Sequence, residues 1–472
     1  MPNALAYLML LAWPMIAVVL YQRLPIERAL IWSILGAYLI LPPLANFDFP
    51  LIPPFNKISI PNLVAFGICV LMLGRRIPFL PESGVGKVLM LLFLMSPVAT
   101  VLTNSDPIWF NVGGLPGLRA HDSISAVIGQ AIDILPFILA RQLLATEKAQ
   151  REIVLALMLA GLAYSLPMLV EIRLSPQINV WVYGFFQHDF IQMMRDGGFR
   201  PIVFLPHALW VAFFTLMALL SAVALWRAEP SKRAMHMLAA GYLGVLLVLC
   251  KSMASLAYAL LLVPIVRFAS FRAQLRLAAA MALVALFFPL LRGADLVPVK
   301  AMLTQAEAFS EDRAASLAFR FNNENRLLDR ARERPAFGWG AWGRNRVYDP
   351  LTGKDLSVID GRWIITIGTF GWFGYFAEFG LLAWPILLLA RRARRLGAGE
   401  FPPYAGTLAL ILAANMVDML PNATLIPFTW LLAGAALGYA ESLGRARAEI
   451  PDTPAESGPD AVPPRDEPRT IL

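Results

Sequence analysis

The residues best suited to chemistry lie in one long polar interruption, residues 292–374. It opens at Arg292-Gly293 and carries a basic run from Ala301 to Arg334. It then passes through the turn Gly338-Trp339-Gly340-Ala341-Trp342-Gly343 and reaches Asp360-Gly361-Arg362-Trp363, ahead of Gly371 and Gly374. The composition from Ala301 to Arg334 predicts a helix, which Pro335 and Gly338 stop. In that helix Arg326 and Arg330 share a face, Arg320 is offset from them, and Leu317, Phe319 and Phe321 can rest on a membrane interface. Clustered guanidinium groups beside an apolar surface suit phosphate, because each planar fork donates parallel hydrogen bonds. The same run also reads as a solvated amphipathic helix whose arginines pair internally with Asp329 and Glu333.

The indoles of Trp339 and Trp342 offer faces that suit sugar rings, and equally suit anchoring at a lipid interface. Their turn is no dinucleotide fingerprint, since no strand–turn–helix unit surrounds it. Two more segments carry isolated cations. Residues 173–207 are rich in aromatics (Trp181, Tyr183, Phe185, Phe186, Phe190) and hold Arg195, Gly197, Gly198 and Arg200 ahead of an apolar span. They read as a ligand-guiding loop or as an interfacial belt with a snorkelling arginine. Lys251 sits in the tight turn Cys250-Lys251-Ser252, as a ligand or simply as a solvated lysine.

The elements that must position these groups are membrane helices. Of the 472 residues 58% are apolar and 15% charged, against about 45–50% and 25% in soluble domains. The net charge of +8 sits mainly in short loops between apolar runs, the pattern of a positive-inside membrane protein and not of a nucleic-acid binder. Cys69 and Cys250 lie within apolar runs as small core residues, and His121, His188, His207 and His236 are scattered with no metal-site spacing. Residues 4–21 lack a basic leader and a cleavage site, and read as a retained first span.

Spans are expected at 4–21, 29–45, 61–74, 88–103, 124–143, 153–172, 204–226, 237–250, 253–270, 277–291, 364–390, 404–419 and 424–441. Several fall short of the ~20 residues a bilayer requires, so kinks or fused pairs are expected. The reading is an all-α polytopic membrane bundle of about 12–13 transmembrane helices, with one large periplasmic loop containing short helices. Arg23/Arg28, Arg75/Arg76/Lys87, Arg141/Lys148/Arg151, Arg227/Lys232/Arg233, Arg267/Arg272/Arg276 and Arg391/Arg392/Arg394/Arg395 mark the cytoplasmic loops. That places the N-terminus and the long loop outside and the C-terminus inside. The long loop's twelve Lys/Arg are nearly cancelled by ten acidic residues. Residues 1–447 form the membrane domain, with the loop at about 292–363. The Pro- and acid-rich residues 448–472 read as a disordered cytoplasmic tail.

From Arg320 to Gly374 the chain resembles the C-terminal signature of the O-antigen ligase/polymerase family, bacterial membrane glycosyltransferases that use polyprenyl-diphosphate-linked glycans. That signature has an Arg, a helical stretch, a P-x-x-G-x-G turn and a His-led segment ending G-x-x-G. Here these are Arg320, Pro335–Gly340, Asp360-Gly361, and Gly371 with Gly374. Gly198-Phe199-Arg200-Pro201 running to Pro206-His207 resembles the family's Arg-led loop, and Lys251-Ser252 its Ser-Arg turn. The main departure is Asp360, where many relatives carry the His taken to activate the acceptor. A carboxylate can serve as general base. Asp360 also reads as an ionic partner of Arg320 or Arg362, and His207 or His188 could substitute for the missing His.

The resemblance implies an inverting, metal-independent transfer with no cofactor. An acceptor hydroxyl attacks the anomeric carbon of a lipid-diphosphate glycan. Arg200, Lys251 and Arg320 are expected to hold the diphosphate, with Arg195 and Arg326 near it, Asp360 to orient the acceptor, and the aromatic loops to guide the glycan. The missing His and the aromatic loop favour a polymerase of an exported polysaccharide over a ligase that caps lipid A core or protein. Expected partners are the lipid-linked donor, the glycan acceptor and membrane lipids, with room for a chain-length regulator and a flippase. A precursor transporter or flippase is the reading from another class. It would need deep ionisable residues, for which Asp133 and Asp418 are the candidates.

Overall fold

The computed structural model describes residues 1–448 apart from 51, 196, 310, 395 and 397–401, so the expected tail from 449 onward lies outside the described residues. The chain is an all-α bundle. Its helices are α1 (Ala4–Arg23), α2 (Ile26–Ile40), α3 (Ser59–Gly67), α4 (Gly84–Leu102), α5 (Ala120–Asp133), α6 (Leu135–Leu143), α7 (Glu147–Leu174), α8 (Ile178–Tyr183) and α9 (Ala208–Ala228). They continue as α10 (Arg233–Leu249), α11 (Met253–Phe268), α12 (Phe271–Gly293), α13 (Val299–Phe309), α14 (Glu311–Arg332), α15 (Arg362–Ala393), α16 (Ala405–Asp418) and α17 (Pro427–Ala448). Short antiparallel hairpins decorate the connections: β1–β2 (Asn46–Phe47 with Phe55–Asn56), β3–β4 (Ile108–Phe110 with Gly113–Leu115) and β5–β6 (Met194–Arg195 with Gly198–Phe199).

All thirteen expected spans fall on helices. Among the described residues, eight stretches are long and apolar enough to cross a membrane: α1, α4, α5 with α6, α7, α9, α10 with its leading turn, α12 and α15. This is fewer than the twelve or thirteen expected: α2, α3 with its extension to Met72, α11 and α16 fall short of the ~20 residues a crossing takes, and α17, at 22 residues, is not among the eight. The basic run at 301–334 is helical over the described stretches Val299–Phe309 and Glu311–Arg332.

Helix α9 forms the centre. It is apolar all round and buried from Val211 to Leu225, as a helix enclosed by neighbours must be. It packs on α7, α10 and α11, while α12, α15 and α16 form the adjoining group. Helix α17 lies against α6 at backbone contact, since a Cβ on Gly434 or Gly438 would overlap the carbonyls of Phe137 and Arg141. Small residues four apart are what close helix crossings in membranes require.

The packing that positions the long loop is a break in α15 at Gly371 (φ 65°, ψ −166°), a conformation open essentially to glycine alone. The segment Pro335–Gly340 docks into this break. Trp339 N–H donates to Gly368 O (2.8 Å) and Gly340 N–H to Thr369 O (2.9 Å). In return, Trp372 N–H donates to Pro335 O (2.8 Å) and Phe373 N–H to Ala336 O (3.3 Å). A Cβ on Gly371 would strike the Ala336 carbonyl, and one on Gly338 the backbone at Thr369. Gly371→Ala should therefore destabilise the protein by about 3 kcal/mol or more, combining Gly-only strain with lost docking. The check is the melting temperature of the purified protein in detergent, with Gly241→Ala, where a Cβ meets open space, as the control.

Candidate anion site at the loop-bearing end of the bundle

The site is built on the loop between α8 and α9, and a buried carboxylate shapes that loop. Glu171, near the end of α7, accepts from Ile178 N–H (3.0 Å) with one oxygen, and from Ile202 N–H (2.7 Å) and Val203 N–H (2.8 Å) with the other. Tyr164 Oη accepts from Phe204 N–H (3.1 Å), and Gln187 Nε2 donates to Val203 O (2.8 Å) and Leu205 O (3.1 Å). Lys57 Nζ donates to Phe204 O (3.0 Å), and burial pushes its ammonium down to about 7. Residues 202–205 run through the interior in non-repeating conformation, with Val203 at φ 49°, because side chains satisfy their backbone. This clamp fixes Arg200 on one side and His207 on the other.

Arg200 is only 3% exposed, and its Nε and Nη2 groups are buried without hydrogen-bond partners. Burial, then the neighbouring charge of Arg195, pulls its guanidinium down to about 10, so it remains a cation at neutral pH. The β5–β6 hairpin beside it lines a cavity of about 350 Å³ through Met194, Arg195, Gly197, Gly198 and Phe199. Lys251 reaches this hairpin from the α10–α11 turn. Its Nζ donates to Arg195 O (2.8 Å) and packs so tightly on Gly198 that a Cβ there would overlap it.

His207 caps α9. Its Nδ1 accepts from Leu209 N–H (3.0 Å), which places the ring proton on Nε2, 3.4 Å from Gln192 Oε1. His188 stands against it edge to face at 4.5 Å. Burial is the main cause that drives the His207 imidazole down to about 3, followed by His188, Arg200, Arg320 and Arg195. The ring is therefore neutral at pH 7 and presents a donor N–H, which unfits it as a general base. Arg195, Arg200 and Arg320, from two distant parts of the sequence, all act electrostatically on this one imidazole.

Arg320 projects from α14 and pairs with Asp360 (Nε to Oδ2, 3.7 Å). At 40% and 43% exposure, the pair contributes about 0–1 kcal/mol. The Asp360 loop is tied to α14 where Asn323 Oδ1 accepts from Val358 N–H (3.1 Å). Behind the pair lies Glu324, whose Oε2 is 3.9 Å from Arg292 Nε.

The structure thus gathers Arg195, Arg200, Lys251, His207 and Arg320 with its partner Asp360. Trp339 is not free to guide a glycan. It is buried, donates from Nε1 to Arg330 O (2.8 Å), and has Arg330 at 3.3 Å and Arg334 at 4.5 Å from its ring. Trp342 is 70% exposed, with Nε1 donating to Asp122 Oδ1 (3.1 Å). Arg326 is exposed, about 120° round α14 from Arg320. Sequence reasoning missed Glu171 and Glu324 as contributors. Both look like ordinary helical acids, and the only sequence signal for Glu324 is its place one turn after Arg320. Cys69 and Cys250 are free and buried. Among the described residues, no cluster of three or more His, Cys, Asp or Glu could hold a metal ion.

Set against known proteins, the sequence matches no family model and no curated protein.

Glu171→Gln tests the clamp. A glutamine has one acceptor oxygen for the three N–H groups, so an amide NH2 must face at least one of them. The cost should be about 1–3 kcal/mol, read as a lower melting temperature, with faster hydrogen exchange at Ile178 and residues 200–206.

Proposed function

We propose that this protein is a membrane glycosyltransferase that polymerises lipid-diphosphate-linked oligosaccharide repeat units of an exported polysaccharide. The observation that carries the reading is Arg200, a buried cation with two unpartnered N–H groups beside Lys251, Arg195 and the cavity. A buried guanidinium without an internal acceptor is costly unless an external anion completes it, and phosphate oxygens match its fork.

In the proposed reaction, an acceptor sugar hydroxyl attacks the anomeric carbon of the donor. The bond from that carbon to the diphosphate oxygen breaks, and the electron pair leaves with the lipid diphosphate. Fixed cations stabilise this developing charge. Arg200 and Lys251 supply charge from the hairpin side and Arg320 from α14. His207, held as a neutral donor, adds an N–H without adding charge. The opposite end of the bundle carries the arginines assigned to cytoplasmic loops, which supports an outward-facing site in the inner membrane of a bacterium. The elongating reaction is preferred to capping of lipid A core or protein because the aromatic segment 181–190 lies next to the cations.

The test is a deletion strain complemented with variants, scored for polymer length, capped lipid A and protein level. Arg200→Ala and Arg320→Ala should each cut long polymer by about 10²–10³-fold at normal protein level. Arg200→Lys, which keeps the charge and loses the fork, should fall between. Intact polymer with lost capping would make the protein a ligase. Lipid-linked units stranded on the cytoplasmic leaflet would make it a flippase.

A further inference from the structure

Two carboxylates flank Arg320, and their surroundings set them to different tasks. Asp360 is half exposed and its charge is matched by Arg320. Glu324 lies one helical turn further along α14 with its side chain 15% exposed. Its Oε2 is buried and accepts no hydrogen bond. The adjacent Arg292 does not supply one. Its Nε also lacks a partner, its Nη2 donates to Asn325 Oδ1 (2.6 Å), and its guanidinium lies 5.6 Å from the Phe321 ring. A carboxylate oxygen buried without a donor is costly, and an incoming O–H is the group that would satisfy it.

Given the glycosyl-transfer reading, on which this step rests, we infer that Glu324 is the general base that takes the proton from the acceptor hydroxyl, and that Asp360 positions Arg320. The hydroxyl proton passes to the Glu324 carboxylate as the hydroxyl oxygen bonds to the anomeric carbon, and the lipid diphosphate departs with its electron pair. Atoms and charge balance: the acceptor and the donor glycan become the glycoside, the carboxylate becomes the carboxylic acid, the departing lipid diphosphate gains the one negative charge the carboxylate loses, and the proton later leaves to water.

The electrostatic setting agrees. Burial pushes the Glu324 carboxyl up to about 7, against the lowering pull of Arg292, of the Trp363 indole, which approaches without full hydrogen-bond geometry, and of Arg320, while Asp360 raises it further. Among the described residues, these are the charged and polar neighbours that act on it from α12, α14, the loop before α15 and α15. A base that titrates near the working pH combines an available ionised form with proton affinity. Below about 7 the carboxyl is protonated and cannot accept, so the rate must fall on the acid side.

The experiment uses membrane vesicles from cells that make the polysaccharide, with the endogenous lipid-linked repeat unit as donor. Chain elongation is measured across the pH range at equal protein level for wild type, Glu324→Gln, Glu324→Asp, Asp360→Asn and Arg200→Ala. Wild type should show an acid limb near 7 at limiting donor, moving to higher pH as donor saturates the site. Glu324→Gln should lose about 10²–10⁴-fold in rate together with that limb. Glu324→Asp should retain a limb at reduced rate, which separates loss of the base from loss of the fold. Asp360→Asn should lower the rate and keep the limb, moved to lower pH because the charge that raises Glu324 is gone. A Glu324→Gln rate close to wild type with the limb intact overturns the inference. If Arg200→Ala is then still inactive, the transferase reading survives with its base elsewhere. If Arg200→Ala is also active, that reading falls with it.

Discussion

The structure depends on the docking of Pro335–Gly340 into the break of α15. A helix interrupted in an apolar interior leaves carbonyls and N–H groups without partners, and each such group costs about 1–3 kcal/mol. Here the groups freed at Gly368, Thr369, Trp372 and Phe373 are taken up by the docked segment. The break and the segment are thus mutually required. Because the segment follows directly from α14, the same four hydrogen bonds fix where α14 ends, and so where Arg320 and Glu324 stand relative to Asp360. The glycines at 338 and 371 are the places where the two backbones touch. The turn Pro335–Gly340 is, physically, a helix-breaking clasp.

The two ends of the bundle treat arginine differently. At the end away from the long loop, Arg141 donates to Glu441 (3.1 Å), Arg151 to Glu229 (2.6 Å) and Arg28 to Glu152 (2.7 Å). Within the bundle, Arg362 forms a forked pair with Glu378, which also accepts from Thr366 Oγ1 (2.9 Å). Asp418 accepts from Thr424 Oγ1 (2.9 Å) and Asn422 Nδ2 (3.2 Å), closing the turn after α16, and Arg362 N–H donates to Met419 O (2.9 Å) in that turn. These ionisable groups brace helix ends against one another, which argues against a polar passage through the bundle. Arg200 stands apart. It is buried like them, yet among the described residues it has no carboxylate partner, and its Nε and Nη2 groups are idle. A membrane protein keeps such a group where something outside the chain completes it.

Hydropathy exposes the spans because burial in lipid or in other helices demands apolar side chains, and all thirteen lie on helices. Arg195, Arg200, Lys251, Arg320 and Asp360 were legible as a set because each interrupts or borders an apolar run. The roles of individual side chains were not. Trp339 and Trp342 sit three apart in one turn, yet one is enclosed between two arginines and the other is exposed. That difference comes from the docking of Gly338 and Gly340, a contact with residues about thirty positions away. Glu171 and Glu324 were illegible for the same reason. A helical acid becomes a loop clamp or a buried proton acceptor only through what is packed against it. His207 carried a misleading signal. Its type suggested a base, and its position as the cap of α9 commits Nδ1 to Leu209.

The proposed chemistry also explains why a cation-rich site would keep a carboxyl with a raised proton affinity. Arg292 and Arg320 both favour the ionised form of Glu324, and burial, helped by the charge of Asp360, outweighs them. A diphosphate bound at Arg200, Lys251 and Arg320 would offset part of that positive field. By Coulomb's law in a partly buried site, two unit charges ~8 Å apart at an effective dielectric constant of ~20 interact by about 2 kcal/mol, more than one unit of pKa. Donor binding would therefore strengthen the base just when the acceptor has to be deprotonated. Without donor, Glu324 would be a weaker acceptor. In the proposed reaction, the cations that hold the leaving group also tie the acceptor's activation to the donor's presence.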